Sequence, residues 1–362
     1  MSPASHTHVL EIGTSPHIKG PESVPNIMFN VVLALMPVTF FAVWAFGMSA
    51  FLLLVTTTLS AVAAEHVSCK LAKKPTTIHD WSATITGLIL GLTLPPGTPL
   101  WMGALGGIFG VIITKALFGG LGYNCFNPAL VGRAFLQISF PVAITTWTPS
   151  GLPGRFLHLI PSTLSAPFME PNADAVKSYV ANALSSAGID GWSGATPLSM
   201  WKFADVPEFE STWNLFSGMV SGSTGETASW LILLGGAYLI WRNMMNWRIP
   251  AGMLGAVFFV SGALWLTDRS AYPDPVFMLF SGGLLFGAVF MASDMVASPM
   301  TSLGVWIYGA FIGVATTVIR LKGALPEGVM FAILLGNALS PLITDITQPA
   351  TYGIKKKGLF RI

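Results

Sequence analysis

The sequence contains very few charged residues. Asp, Glu, Lys and Arg make up 9% of its 362 residues, against about 25% in ordinary soluble proteins. A soluble domain of this length cannot cover its surface with so few charges, which excludes a soluble globular enzyme. A disordered chain is excluded as well, because 52% of the residues are hydrophobic.

The net charge is also small, and there are few cysteines. The formal net charge of +2 provides no basic field for nucleic acid. The only cysteines, Cys69 and Cys125, form no C-x-x-C motif and cannot build a disulfide framework. They also exclude an iron–sulfur cubane held by this chain alone, because such a cluster needs about four thiolates. A polytopic membrane protein remains, in agreement with a mean hydropathy of +0.66.

Long apolar runs occupy most of the sequence. A membrane-spanning helix needs about 20 apolar residues, and the third run is short and ends at Pro95-Pro96, so it predicts a half-span. The segment before the first run has no apolar core, and we expect no signal peptide there. The ten predicted spans cover residues 27–46, 49–69, 82–94, 100–118, 129–146, 227–241, 249–267, 275–292, 303–319 and 327–343.

These runs predict an all-α polytopic membrane protein with two five-helix halves. A long polar stretch separates the fifth span from the sixth and is expected to lie outside the membrane. Homologous halves of five spans each would have opposite orientations and form an inverted repeat, although short matches such as Gly110-Val111 with Gly313-Val314 support it only weakly. The predicted divisions are an N-terminal segment (1–26), the first half (27–146), the loop (147–226), the second half (227–343) and a basic tail (344–362).

The distribution of charges predicts the orientation. The side that holds both termini carries twelve of the eighteen basic residues, and the other side carries ten of the sixteen acids. By the positive-inside rule, both termini are cytoplasmic and the 147–226 loop is extracytoplasmic.

Several ionisable residues fall within or near the spans, where such groups are functional candidates by default. Glu65 and Asp294 are the candidates for ion coupling. Lys115, Arg133 and Asp345 lie near predicted span ends, so we expect them to snorkel to the interface or to pair with loops.

Glycines cluster in the fourth predicted span, at Gly103, Gly106, Gly107 and Gly110. Small residues allow membrane helices to pack closely. The alternative is that some of these glycines make room for a flat cofactor, and the sequence does not separate the two interpretations.

Two short segments carry the chemical signals. The first, Gly-Gly-Leu-Gly-Tyr-Asn-Cys-Phe-Asn-Pro-Ala at 119–129, predicts a tight turn followed by a helix with Asn127 as N-cap and Pro128 in its first turn. The second, Asp-Gly-Trp-Ser-Gly-Ala-Thr-Pro-Leu at 190–198, predicts an exposed turn of small residues. Its Thr196 hydroxyl can accept a phosphoester, although an ordinary loop explains the segment equally simply.

Together these segments resemble one family. The 190–196 stretch resembles the flavinylation motif shared by the B subunit of sodium-pumping NADH:quinone reductase and the D subunit of the Rnf complex. The 119–129 segment, Thr14-Ser15-Pro16-His17 and Asp294 followed by Val-Ala-Ser-Pro are similar to the same family. The resemblance covers residues 12 to 354. The short segment before the first span favours the Rnf D subunit.

The resemblance implies an electron relay with a covalent flavin. Thr196 would carry FMN through a phosphoester installed by a flavin transferase, with Asp190, Ser193, Gly194 and Ala195 as the surrounding recognition motif. A second, non-covalent flavin (riboflavin or FMN) is expected within the membrane, with no residue assignable to it. The aromatic residues available to stack on the covalent flavin are Trp192, Trp201, Phe203 and Trp213.

The implied setting is an Rnf-type complex in the cell inner (cytoplasmic) membrane that couples ferredoxin:NAD⁺ electron transfer to Na⁺ or H⁺ translocation. The expected partners are the other Rnf subunits (A, B, C, E and G) and membrane lipid, without nucleic acid. The alternatives are the B subunit of the sodium-pumping quinone reductase, a small-solute transporter or channel, and a structural membrane scaffold.

Overall fold

The computed structural model describes residues 23–169, 172–185, 195–203, 211–226, 228–269 and 271–349. Within these ranges every regular element is a helix, which confirms the prediction of an all-α chain. Of the predicted FMN-binding motif, Asp190, Ser193 and Gly194 lie outside the described residues, whereas Ala195 and Thr196 lie inside them.

The first group of helices precedes the long loop. Gly47, at φ +76°, lets the chain reverse between the first two helices, and a Cβ there would collide with the Arg155 carbonyl. A short 3₁₀ turn at Ile78–Asp80 leads into the third helix. The helices are α1 (Val24–Phe46), α2 (Met48–Leu71), α3 (Ser82–Thr93), α4 (Leu100–Val111, continuing as π-helix through Ile112–Ala116), α5 (Pro128–Ser139) and α6 (Pro141–Thr145).

The loop and the second group contain the remaining helices. The loop helices are α7 (Ala173–Ser185), α8 (Pro197–Phe203) and α9 (Thr212–Ser217). The second group consists of α10 (Ser229–Trp241), α11 (Arg248–Thr267), α12 (Pro275–Phe280), α13 (Leu284–Phe286, continuing as π-helix through Gly287–Met291), α14 (Ser302–Lys322) and α15 (Val329–Thr347).

Within the described residues, five helices are long and apolar enough to cross a membrane: α1, α2, α11, α14 and α15. Three more are apolar but shorter, namely α3, α4 with its π-helical end, and α10. At about 1.5 Å per residue, the 12 residues of α3 reach about 18 Å, well short of a bilayer core of about 30 Å. A multi-pass membrane protein follows.

Two of the predicted spans are not continuous helices. The 129–146 run divides at Phe140, because Pro141 has no N–H to donate and begins a new helix. The 275–292 run divides at Ser281–Gly283, where Gly282 adopts a φ of +62°. Broken helices of this kind occur at membrane depth only where protein or a cavity surrounds the exposed backbone.

Packing joins the two groups into one body. In the first group α2 packs on α3 and α4, and α4 packs on α5, while in the second group α14 packs on α11 and α15. Helix α1 packs on α10 across the division, where the Tyr238 hydroxyl donates to Asn30 Oδ1 at 2.6 Å. One continuous hydrophobic core contains residues of both groups, including Leu35, Leu90 and Tyr308.

The α4 glycines mark close helix contacts. A Cβ at Gly107 would lie 3.1 Å from the Thr57 carbonyl oxygen of α2, and one at Gly110 would lie 2.5 Å from the Pro128 carbonyl oxygen of α5. Close packing is therefore the correct interpretation for these glycines. The match of Gly110 with Gly313 does not reflect equivalent packing, because Gly313 approaches α11.

The loop that follows α6 has a small core of its own, formed by Leu152, Ile160 and the inner face of α7. It covers one end of the first group. The Ile160 amide donates to Ser49 Oγ at 3.0 Å, and the Leu100 amide donates to the Thr163 carbonyl at 3.1 Å.

Candidate functional sites at two clefts

Two clefts lie at opposite ends of the helices. Helix α5 begins with Pro128 in the wall of the first cleft and reaches the second cleft with Gln137. The first cleft lies beside the starts of α1 and α3, and the second lies beside the connection between α14 and α15. The open space of the first cleft is about 790 Å³ and that of the second is about 960 Å³, counted together with the solvent-filled space at their mouths.

Thr196 lies beside the second cleft. The prediction that this residue is exposed is wrong, because Thr196 is only 4% exposed. Its Oγ1 accepts a hydrogen bond from the Ser199 amide at 3.3 Å. The Thr196 hydroxyl also donates to Ser199 Oγ at 3.0 Å. Because Ala195 and Ser199 both line the cleft, the Thr196 hydroxyl lies one hydrogen bond from its wall.

Lys202 fixes α8 to the end of α14. Its ammonium donates to the carbonyls of Arg320 at 2.6 Å and Gly323 at 2.5 Å, and two further carbonyls, of Ile319 and Leu325, lie at 3.4 Å. The last carbonyls of a helix have no partner within the helix, and its negative dipole end favours a cation. Partial burial lowers the pKa of Lys202.

A second contact fixes the residue before Thr196. The Ser221 hydroxyl donates to the Ala195 carbonyl at 2.7 Å. The Thr196 segment is thus held on both sides, by Ser221 before it and by Lys202 after it.

The walls of the second cleft are mostly apolar and aromatic. Trp147, Phe203, Met330 and Phe331 face it, and Gln137 adds an amide. Of the other aromatic residues named above, Trp201 packs on the main core and Trp213 is exposed. Trp192 lies outside the described residues.

A buried charge cluster forms the floor of the second cleft. Arg133 Nη1 donates to Glu226 Oε1 at 3.1 Å, and Arg133 Nη2 donates to Glu327 Oε2 at 2.6 Å. Arg133 Nε and Glu327 Oε1 have no hydrogen-bond partner among the described residues. Arg133 does not snorkel to the interface, since it is only 5% exposed. The alternative expectation, pairing with loops, is confirmed, because Glu226 lies in the loop before α10 and Glu327 in the connection between α14 and α15.

Arg320 stabilises the broken helix beside this cluster. It is fully buried and donates to the carbonyls of Met278 at 2.6 Å and Ser281 at 2.8 Å, which the break between α12 and α13 leaves open. Its Nε donates to the Glu327 carbonyl at 3.2 Å. Sequence reasoning missed Glu226, Glu327 and Arg320, although an acid directly before an apolar run was a usable signal for both glutamates.

The first cleft contains the 119–129 segment. As predicted, Asn127 caps α5, accepting from the amides of Ala129 at 3.0 Å and Leu130 at 3.4 Å. Its Nδ2 donates to the Met291 carbonyl at 3.3 Å, which links the first group to the π-helical end of α13. Asn124 Oδ1 is buried with no partner among the described residues.

Lys115 and Glu65 form a buried ion pair beside this cleft. The ammonium lies 2.6 Å from Glu65 Oε1 and also donates to Ser82 Oγ. Thr77 Oγ1 donates to the same carboxylate oxygen, whereas Glu65 Oε2 has no partner among the described residues. The expectation that Lys115 snorkels to the surface is therefore wrong, since Lys115 is 3% exposed.

Asp294 lies in the wall of the first cleft, directly after the π-helical turn. Its Oδ1 accepts from the Val296 amide at 3.1 Å, and burial raises the pKa of its carboxyl. Asp345 is exposed near the end of α15 and lines neither cleft. The two proposed ion-coupling residues, Glu65 and Asp294, thus lie at the same end of the molecule.

Comparison with known proteins identifies a family and several relatives that match nearly the whole chain. The family described as "NQR2, RnfD, RnfE family" matches residues 11–353. The D subunit of the proton-translocating ferredoxin:NAD(+) oxidoreductase complex of Clostridium ljungdahlii is 39% identical, with 96% of this chain and 98% of the relative covered. The D subunit of the Na(+)-translocating ferredoxin:NAD(+) oxidoreductase complex of Acetobacterium woodii is 37% identical, with 96% of each covered. The D subunit of the ion-translocating oxidoreductase complex of Yersinia enterocolitica is 36% identical, with 95% and 98% covered.

Proposed function

The chain belongs to the NQR2, RnfD, RnfE family, and from this membership we propose that it is the electron-relaying D subunit, embedded in the membrane, of an Rnf-type ferredoxin:NAD⁺ oxidoreductase complex. The names of its relatives support the assignment, because each relative is named as the D subunit of an ion-translocating or ferredoxin:NAD(+) oxidoreductase complex. Each of them matches nearly the whole chain. The other Rnf subunits (A, B, C, E and G) and membrane lipid would cover its outer surface, where large apolar residues such as Phe40, Leu59 and Ile138 are exposed.

The electron carrier would be FMN, joined to Thr196 through a phosphoester. The position of Thr196 beside a cleft of about 960 Å³ is the observation that carries this proposal. Bound there, the flavin would supply the redox chemistry, while the protein supplies position and electrostatics.

The residues of the second cleft fit a flat, largely apolar ring with a polar edge. Trp147, Phe203 and Phe331 offer apolar contact to such a ring. Gln137 offers hydrogen bonds to its edge. Lys202 and Ser221 hold the attachment segment against the cleft, so that a tether at Thr196 keeps the flavin within its reach.

The first cleft is the proposed site of the second, non-covalent flavin, riboflavin or FMN. It has about 790 Å³ of open space and a buried, unpartnered acceptor at Asn124 Oδ1. Thr86, Asn127 and Ser293 also line it and add polar groups. With one flavin in each cleft, the chain would carry a redox group at both ends of its helices.

Ion coupling is proposed at Asp294, which lines the first cleft, and at Glu65, which pairs with the cleft residue Lys115. The free Oε2 of Glu65 supports this assignment. The relatives' names include both a proton-translocating and a Na⁺-translocating complex. The proposal therefore includes either H⁺ or Na⁺ as the coupling ion. The expected orientation has the first cleft and both termini cytoplasmic in the cell inner membrane, and the second cleft extracytoplasmic.

The test of the covalent flavin is in-gel fluorescence. The chain is co-expressed with a flavin transferase and run on a denaturing gel under ultraviolet light. We expect a fluorescent band in the wild type and in Thr145→Val, a control that removes a threonine lining the same cleft. The band should vanish in Thr196→Val. A dark wild-type band would exclude the covalent flavin and favour a small-solute transporter or a scaffold.

A further inference from the structure

The Arg133 cluster joins three separate parts of the chain. Arg133 comes from α5, Glu226 from the segment before α10, and Glu327 from the connection between α14 and α15. The two carboxylates bind the two terminal nitrogens of one guanidinium, at 3.1 Å and 2.6 Å, and therefore lie close to each other. Ion coupling at Glu65 and Asp294 does not use this cluster, which lies at the opposite end of the helices.

The cations near these carboxylates differ in what they bind. Arg133 is bonded to both carboxylates, whereas every donor nitrogen of Arg320 is directed at a backbone carbonyl. The Lys202 ammonium, on α8, also donates its hydrogen bonds to backbone carbonyls. From the described residues, Arg133, Arg320 and Lys202 are the cations near Glu327, and Glu226 is the facing acid.

Such an arrangement disfavours two ionised carboxylates. Each buried carboxylate loses solvation, and the second negative charge opposes the first. Burial, followed by the nearby Glu226, raises the pKa of Glu327 to about 7. Groups coupled in this way titrate as a pair and share a proton.

We propose that Glu226 and Glu327 form a proton-binding pair, which takes up one proton from water when negative charge arrives in the second cleft and releases it when that charge leaves. The proton binds at Glu327 Oε1, the carboxylate oxygen that has no hydrogen-bond partner among the described residues, and converts the carboxylate to a carboxylic acid. No bond to the cofactor forms or breaks. The proposal rests on the proposed function, because an electron on the Thr196 flavin is the source of the charge.

Proton uptake is measured on the complete complex. The complex is reduced anaerobically with dithionite, and infrared difference spectra record whether a protonated carboxyl band appears. We expect this band in the wild type near neutral pH and its loss in Glu327→Gln. Asp274→Asn, which removes an exposed carboxylate, should keep it. An indicator dye should show fewer protons taken up per complex in Glu327→Gln than in the wild type, by up to about one.

A second variant covers the case in which Glu327→Gln does not assemble. In Glu226→Gln the opposing charge on Glu327 is removed, so the carboxyl band should appear only at lower pH than in the wild type. A band that is unchanged in either assembled variant overturns the proposal and leaves the cluster with a structural role only.

In-gel fluorescence of the same samples separates the two proposals. A dark wild-type band would contradict the covalent flavin itself. A fluorescent band together with an unchanged carboxyl signal contradicts only the proton-binding pair.

Discussion

The two buried ion clusters differ in what they connect. Glu65 and Lys115 both belong to the first group of helices and balance each other one to one. Arg133 instead holds Glu226, which precedes the second group, and Glu327, which lies within that group between α14 and α15. Losing the cation would strand one charge in the first cluster and two in the second. The first cluster is thus a local pair, whereas the second also connects the two groups.

The largest expected effect is that of Arg133→Ala. Removing one partner of a buried ion pair costs about 3–5 kcal/mol, and here two carboxylates would lose their cation. We expect the variant to be mostly unfolded or unassembled, measured as the monodisperse fraction in detergent. Adding Glu226→Gln and Glu327→Gln to the same chain should restore much of that fraction. Wild-type behaviour of the single variant would refute a connecting role.

Lys115→Met should have the next largest effect. It leaves only Glu65 without its cation, so we expect a loss near the lower end of about 3–5 kcal/mol in the free energy of unfolding. The double variant Lys115→Met/Glu65→Gln should recover most of it, because a neutral pair strands no charge. Thermal unfolding in detergent provides the measurement, and equal stability of single and double variants would count against the pair.

The second cluster should also make stability depend on pH. The pKa of Glu327 is raised to about 7 by burial and by Glu226, above its unfolded value of about 4.3. The folded state therefore binds more protons, and this contribution is present at low pH and lost as the pH rises through about 7. We expect the unfolding temperature to fall between pH 5 and pH 8 and this slope to flatten in Glu327→Gln. An equal slope in both proteins would contradict the assignment.

The smallest effect is expected for Lys202→Met. It removes the contacts between α8 and the end of α14, which are worth about 1–2 kcal/mol for a partly exposed ammonium. Only the wall of the second cleft should loosen, which limited proteolysis of the loop would detect as faster cleavage. Lys177→Met is the matched control, because its 3.8 Å pair with Asp174 is exposed and contributes little. Equal cleavage of both variants would argue against the Lys202 anchor.

The sequence predicted correctly those features that depend only on residues close together in the chain. The cap at Asn127 and the end of α3 before Pro95-Pro96 follow from the hydrogen-bonding capacity of neighbouring residues. The break at Gly282 was missed, because an apolar run does not reveal a change of backbone direction within it.

Pairings between distant residues could not be predicted from the sequence. Arg133 and Glu327 are 194 residues apart, and which face of α5 meets the α14–α15 connection is decided by packing of the whole core. The sequence therefore identified Thr196 as a candidate without indicating the cleft, the anchor at Lys202 or the charged floor beside it.

The burial of Thr196 bears on the order of events during biogenesis. Thr196 is 4% exposed and its hydroxyl is engaged by Ser199, so it cannot enter the active site of another enzyme without local opening of the chain. If Thr196 carries the proposed flavin, attachment would therefore have to precede the docking of α8 or wait for α8 to detach. Under that proposal, modification would compete with folding, and a chain in which α8 docks too early would remain without the proposed flavin.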